Sequence, residues 1–177
     1  MAVSEKPPAV GIRTQGGRNM EIALKYISYN ERMSEETNCF SVTIYVDGKK
    51  AGETSNHGHG GPTTIRPRAL EQRIDAYAKT LPPIVMEDMT LEMDAELLIG
   101  DLLSDYLTRR DMLKAFRTRL LFTKAGKPEI YEVKLDASAM AKTRQNPAMA
   151  LERLKADKIL NFLPETEALA LYSTAGT

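Results

Sequence analysis

Cys39-Phe40-Ser41-Val42-Thr43-Ile44-Tyr45-Val46-Asp47-Gly48 is the stretch that decides the fold class. Successive side chains of a strand point to opposite sides, so Phe40, Val42, Ile44 and Val46 line one face and Ser41, Thr43 and Tyr45 the other. Such a strand buries one face. Asp47-Gly48 accepts the positive φ angles of a tight hairpin turn, and the chain returns as Lys49 to Ser55. Upstream, Glu21 to Tyr29 places Ile22, Leu24 and Tyr26 on one face and Ala23, Ile27 and Tyr29 on the other, with a polar loop from Asn30 to Asn38. Three antiparallel strands therefore open the domain.

Beyond a glycine-rich loop the period changes from two to that of a helix. Leu70, Ile74, Tyr77 and Leu81 recur at helical spacing after Pro67 and before Pro82-Pro83, which predicts a helix from Arg68 to Thr80. A second helix is expected to start at Asp94, whose side chain can cap it, and to carry Leu98, Leu102 and Tyr106 inward. Thr108 with Asp111 resembles a capping box, so a break or a new helix is expected there. Arg119 to Thr123 and Glu129 to Leu135 read as strands on either side of the turn-rich Lys124-Ala125-Gly126-Lys127-Pro128, giving a second hairpin. Pro147 starts a helix presenting Leu151, Leu154, Ile159 and Phe162, and Pro164 separates it from a final Ala/Leu-rich helical segment. The expected fold class is α+β: an N-terminal antiparallel β-meander with packed helices, a second β-hairpin and a helical C-terminus. Residues 20–177 are expected to form a single domain, and residues 1–19, which mix Pro, Gly and charge without periodicity, a flexible tail.

The composition bounds the function. The 177 residues are 42% hydrophobic and 27% charged, which suits a folded globular chain and not a disordered one. Lys+Arg and Asp+Glu are equal at 24 each, so no net field draws the whole chain to nucleic acid or an anionic membrane. Cys39 is the one cysteine, which excludes an intrachain disulfide and a multi-cysteine zinc site and fits a reducing, cytoplasmic compartment. No run approaches the ~20 apolar residues of a membrane span, and no signal peptide or membrane association is expected.

Ser55-Asn56-His57-Gly58-His59-Gly60-Gly61, followed by Pro62 to Arg68, is the most unusual local sequence and holds both histidines. Glycines let backbone N–H groups converge on an anion, and Thr63, Thr64, Arg66 and Arg68 add hydroxyls and charge at a helix start, which makes a phosphate or carboxylate cradle. The competing reading is a turn in which positive φ requires glycine. His57 and His59 would share a face of an extended chain as two metal ligands, but a site needs a third, for which Glu53, Asp75, Glu87 and Asp88 have no diagnostic spacing. Neither a metal nor a cofactor is assigned. A small phosphate- or metal-dependent enzyme centred on Asn56, His57 and His59 remains one alternative function. No Gly-x-Ser-x-Gly elbow is present, and Cys39 opens a strand, a structural placement.

Zero net charge hides segregation. Glu87, Asp88, Glu92, Asp94, Glu96, Asp101 and Asp105 form an acidic run without a Lys or Arg, whereas Arg109, Arg110, Lys114, Arg117, Arg119, Lys124 and Lys127 are interrupted only by Asp111. Arg110, Lys114 and Arg117 at i, i+4 and i+7 form a basic stripe on one helix face, which Arg119, Lys124 and Lys127 extend. That stripe is the basis of a second alternative, a nucleic-acid-binding accessory protein, with Tyr106 or Phe116 available for stacking. The plainer reading is internal pairing with acids, or a solvated face. The acidic residues Asp94, Asp101 and Asp105 in turn supply a surface for selecting a basic partner.

Tyr26 to Asn30, Cys39-Phe40, Tyr45 to Gly52 and the Ser55 to Gly61 loop resemble a group of uncharacterised small phage and prophage proteins with a DGKKxG hairpin and an SNxGxGG loop. Ile159 to Glu165 and Ala168 to Tyr172 are similar to the C-terminal ends of that group. The resemblance implies a mobile-element context and no catalytic activity. The expectation is a non-enzymatic accessory protein that binds a host or phage protein complex in a bacterial cytoplasm, host-defence inhibition being one purpose. A homo-oligomer is compatible with it.

Overall fold

The computed structural model describes residues 10–11, 20–86 and 89–175, with the side chains of 10–11 outside the description. The chain is α+β, and its contacts divide it into two compact units, residues 1–105 and 106–177. In the first unit, β1 (Val10–Gly11), β2 (Ile22–Tyr29), β3 (Cys39–Val46), β4 (Lys49–His57) and β5 (Thr64–Arg66) form one antiparallel sheet in sequence order. The tail expected over residues 1–19 thus contains the short strand β1, which pairs Val10 with Leu24, and its remaining residues lie outside the description.

β3 alternates as its sequence requires, with Phe40, Val42, Ile44 and Val46 buried. Asp47 (φ 51°) and Gly48 (φ 77°) make the hairpin turn into β4. In β2 the simple alternation fails. Ile22, Ala23 and Leu24 are all buried, and the register with β3 shifts between Lys25 and Ser28. Tyr26 sits in that bulge at φ 57° and is 70% exposed, so it does not share a buried face with Ile22 and Leu24 as expected.

The helix α1 (Arg68–Ala78) buries Leu70, Ile74 and Ala78. Its approach to the sheet depends on Gly52. A Cβ there would lie 2.1 Å from the Arg66 carbonyl oxygen and 2.5 Å from Leu70 Cδ2, so only glycine leaves room for Leu70 over β4. A two-stranded sheet that the sequence did not announce follows, β6 (Ile84–Met86) paired with β7 (Met89–Leu91). Three-residue strands are too short to show a period.

The helix α2 (Ala95–Ala115) starts where expected, with Asp94 Oδ1 accepting the Leu97 N–H at 2.8 Å. Ala95, Leu98, Ile99, Leu102 and Leu103 are buried at i, i+3, i+4, i+7 and i+8. The break expected at Thr108–Asp111 does not occur, and the helix runs through it without interruption. With neither Pro nor Gly nearby, and with Met112 fully buried one turn later, a Thr-x-x-Asp match does not outweigh continued helical burial.

In the second unit β8 (Arg119–Thr123) is the middle of a three-stranded antiparallel sheet, between β9 (Tyr131–Lys134) and β10 (Lys158–Ile159). Both faces of β8 are covered. Leu121 packs with Met112, Leu160 and Ala168 on one side, and Leu120 and Phe122 pack with Met140 and Ile159 on the other. The chain between the strands forms α3 (Ala137–Gln145) and α4 (Pro147–Leu154), and α5 (Glu165–Ala175) ends the fold. The helix expected from Pro147 through Phe162 stops at Leu154. Lys155 takes φ 50°, the Ala156 N–H bonds back to the Leu151 carbonyl at 2.9 Å, and Ile159 becomes a strand residue facing Phe122 in register. β10 is short, and the Asn161 side chain continues its pairing. Its Oδ1 accepts the Leu121 N–H at 2.8 Å and its Nδ2 donates to the Arg119 carbonyl at 2.9 Å.

Candidate functional site

Asn56 organises the glycine–histidine loop. It is 5% exposed, near the end of β4, and its side chain ties the loop to Thr37 of the preceding polar segment. Its Oδ1 accepts from the Gly58 N–H and from Thr37 Oγ1, both at 2.8 Å, while its Nδ2 donates to the Gly61 carbonyl at 2.8 Å and to Thr63 Oγ1 at 3.4 Å. The Gly58 carbonyl accepts the N–H groups of Glu35, Glu36 and Thr37 at 3.0, 3.0 and 3.3 Å. Three successive amides that would hold an anion therefore converge on the chain's own carbonyl.

Glycine is required at 58 by position as well as by φ (87°). A Cβ would fall 1.9 Å from the Met33 carbonyl oxygen. The loop thus locks the 34–37 segment against the end of β4. Glu36 stands against Gly60, where a Cβ would meet its carboxylate at 2.2 Å, and Glu35 Oε2 lies 3.3 Å from His59 Nδ1. Two carboxylates at the loop work against the recognition of a second anion.

His57 and His59 are both exposed. Of the carboxylates considered as their third metal partner, Glu53 pairs with Lys50 at 3.0 Å and Asp75 with Lys79 at 2.7 Å, while Glu87 and Asp88 lie outside the description. Among the described residues no three His, Cys, Asp or Glu side chains come together as a metal site. Arg66 projects from β5 opposite Glu53 and is exposed. Arg68 stands at the rim of a cleft of about 340 Å³ that also gathers Glu71, Asp75, Asp94 and Glu96. Three of these acids hold the backbone, Asp94 as the cap of α2, Glu96 by accepting the Thr63 N–H at 2.7 Å and Asp75 by accepting the Ala95 N–H at 3.4 Å.

Asp101 and Asp105 are exposed one turn apart on α2. Desolvation raises both carboxyl groups above the ordinary range, and the charge of Asp105 adds to the effect on Asp101.

The basic stripe is partly neutralised within its own unit. Arg109 pairs with Glu165, Arg110 with Asp111 at 3.0 Å and Arg119 with Glu132 at 2.7 Å. Lys124 lies over the Tyr131 ring, 4.6 Å from its centroid. Lys114, Arg117, Lys124 and Lys127 have no carboxylate at ion-pair distance among the described residues. Segregation nonetheless persists at a larger scale. Residues 1–105 hold 16 acidic against 11 basic side chains and residues 106–177 hold 8 against 13, so the units carry formal charges of −5 and +5.

The β6–β7 hairpin is the feature that the sequence concealed. Val85 is 75% exposed, Met89 51% and Met86 45%. Met86 and Met89 are paired across the strands and share one face, with Val85 on the other. An apolar run after Pro82-Pro83 was the available signal, but apolar residues in so short a segment read equally well as a buried connector.

No helix among the described residues is long and apolar enough to cross a membrane. No family model, no curated protein and no solved structure matches the chain.

Proposed function

We propose that the protein is a non-enzymatic accessory protein of a phage or mobile element that binds a host macromolecular complex in the bacterial cytoplasm, with inhibition of a host defence as the purpose. The observation that carries this is the exposed β6–β7 hairpin. Single exposed apolar residues are ordinary, but six described hairpin residues that expose Met86 and Met89 on one face and Val85 on the other offer apolar surface on both sides to another macromolecule. Among the described residues the hairpin is a sheet of two strands, and the outer edges of such a sheet can receive a partner strand. Its methionines adapt to an irregular partner surface. Opposite net charges on the two units add selectivity and steering.

Nucleic acid is a weaker candidate, because Arg109, Arg110 and Arg119 already face carboxylates. The enzyme alternative at the glycine–histidine loop is weakened by the engagement of Asn56 and of the converging amides in structural hydrogen bonds. The test is retention of a host complex from a bacterial lysate by the tagged chain, compared with the double variant Val85→Glu/Met89→Glu. Loss in the variant, with unchanged circular dichroism, supports the proposal. Equal retention by both chains, or no enriched complex, defeats it.

A further inference from the structure

The second unit contains an open groove of about 540 Å³ between its sheet and the helices α3 and α4. The sheet contributes Leu120, Val133 and Leu135 to its lining, and α4 contributes Met149, which is 60% exposed. Its charged lining residues are Lys142 on α3 and Arg153 on α4, and no carboxylate among the described residues lines it. Neither cation has an acid at ion-pair distance among the described residues. The other polar groups face their own helices: Thr143 Oγ1 donates to the Ala139 carbonyl at 2.8 Å, and Asn146 Oδ1 caps the Met149 N–H at 3.3 Å.

We propose that this groove docks an amphipathic helix of a partner protein that carries acidic residues on both sides of an apolar stripe. Helix-in-groove recognition needs an apolar trough, adaptable side chains and flanking charge, and the unit supplies all three with a formal charge of +5 around them. The two cations stand on different helices, so they match acids on two sides of a segment better than the single head group of a fatty acid. Among the described residues the lining has no aromatic ring on which a nucleic-acid base would stack. A concave floor does not match a bilayer surface.

The chain's own acidic helices are engaged elsewhere. Glu165 and Glu167 of α5 pair with Arg109 and Lys158, and the apolar stripe of α2 is buried in its own core. This surface is distinct from the β6–β7 hairpin, and the two stand or fall separately.

The probe is a fluorescein-labelled peptide of about 16 residues with leucines at i, i+3, i+4 and i+7 and glutamates flanking them. Saturable binding to the full chain is expected, weakened at least about tenfold by Lys142→Glu/Arg153→Glu and by Met149→Glu, and unchanged by Val85→Glu/Met89→Glu. All of these positions are exposed, and circular dichroism checks that each variant folds. The proposal is overturned by absence of binding, by equal affinity for a peptide with lysine in place of glutamate, or by unchanged affinity in the Lys142→Glu/Arg153→Glu chain. Concentration-dependent self-association that Met149→Glu abolishes, without peptide binding, would assign the groove to a second copy instead.

Discussion

Asn56 shows how a residue that looks chemical in sequence becomes structural in space. A side-chain amide offers donors and acceptors, and here the Gly58, Gly61, Thr37 and Thr63 groups occupy them inside a buried corner. Asn56→Ala would leave buried polar groups without partners and is expected to lower stability by about 2–3 kcal/mol in urea unfolding. A loss below about 0.5 kcal/mol would show that the network contributes little. Gly58→Ala should cost at least as much, since it combines a positive φ with a clash on the Met33 carbonyl. The need for glycine was legible in the Gly-x-Gly-Gly spacing. What the loop engages was not legible, because the amides that converge on the Gly58 carbonyl belong to Glu35, Glu36 and Thr37, some twenty residues away in the chain. Asn161 was hidden for the same reason, since nothing local announces a side chain that completes a sheet edge.

At the level of elements, β3, α1 and the start of α2 emerged as expected, whereas the period read in β2 breaks at the Tyr26 bulge and the helix read from Pro147 to Phe162 ends at Leu154. β3 rests on four buried residues in phase and α1 on three, whereas β6, β7 and β10 are only two or three residues long and are defined by their pairing partners. The helix α2 was legible at its start, through the Asp94 cap, and misread in its interior. Asp94→Ala should cost about 1 kcal/mol, measurable by thermal melting.

Further along α2, the raised carboxyl groups of Asp101 and Asp105 carry a definite sign. A folded-state value above the unfolded one means that ionisation disfavours the fold, so the penalty is present at neutral pH and disappears as both states protonate in acid. Asp101→Asn is therefore expected to raise Tm at pH about 7 and to match the parent chain below pH about 3. A lower Tm at neutral pH would contradict it. Glu165 has the opposite sign, because the Arg109 guanidinium holds its carboxyl below the ordinary range. Its contribution is present above the unfolded value and lost as pH falls through the folded one. Glu165→Gln should cost about 1 kcal/mol at neutral pH and nothing in strong acid.

At the scale of the whole molecule, equal numbers of acids and bases conceal two units of opposite charge, and the distinction between nucleic acid and protein as partner turns on how many cations remain available. The sequence displayed seven basic residues from Arg109 to Lys127, but it could not show that Glu165, Asp111 and Glu132 stand against three of them. Each phosphate neutralised by an available cation contributes about −0.9 to the slope of log K against log salt, so the full stripe predicts about −6 and the four cations without acid partners about −4 at most. Titration of a labelled short duplex across a salt series is expected to show weak binding with the shallower slope, and the proposed binding of a host protein complex is expected to depend on Val85 and Met89 as well as on salt. Tight duplex binding with a slope near −6 would mean that the ion pairs open to receive phosphates. That result would place the basic face, and not the apolar hairpin, at the centre of function.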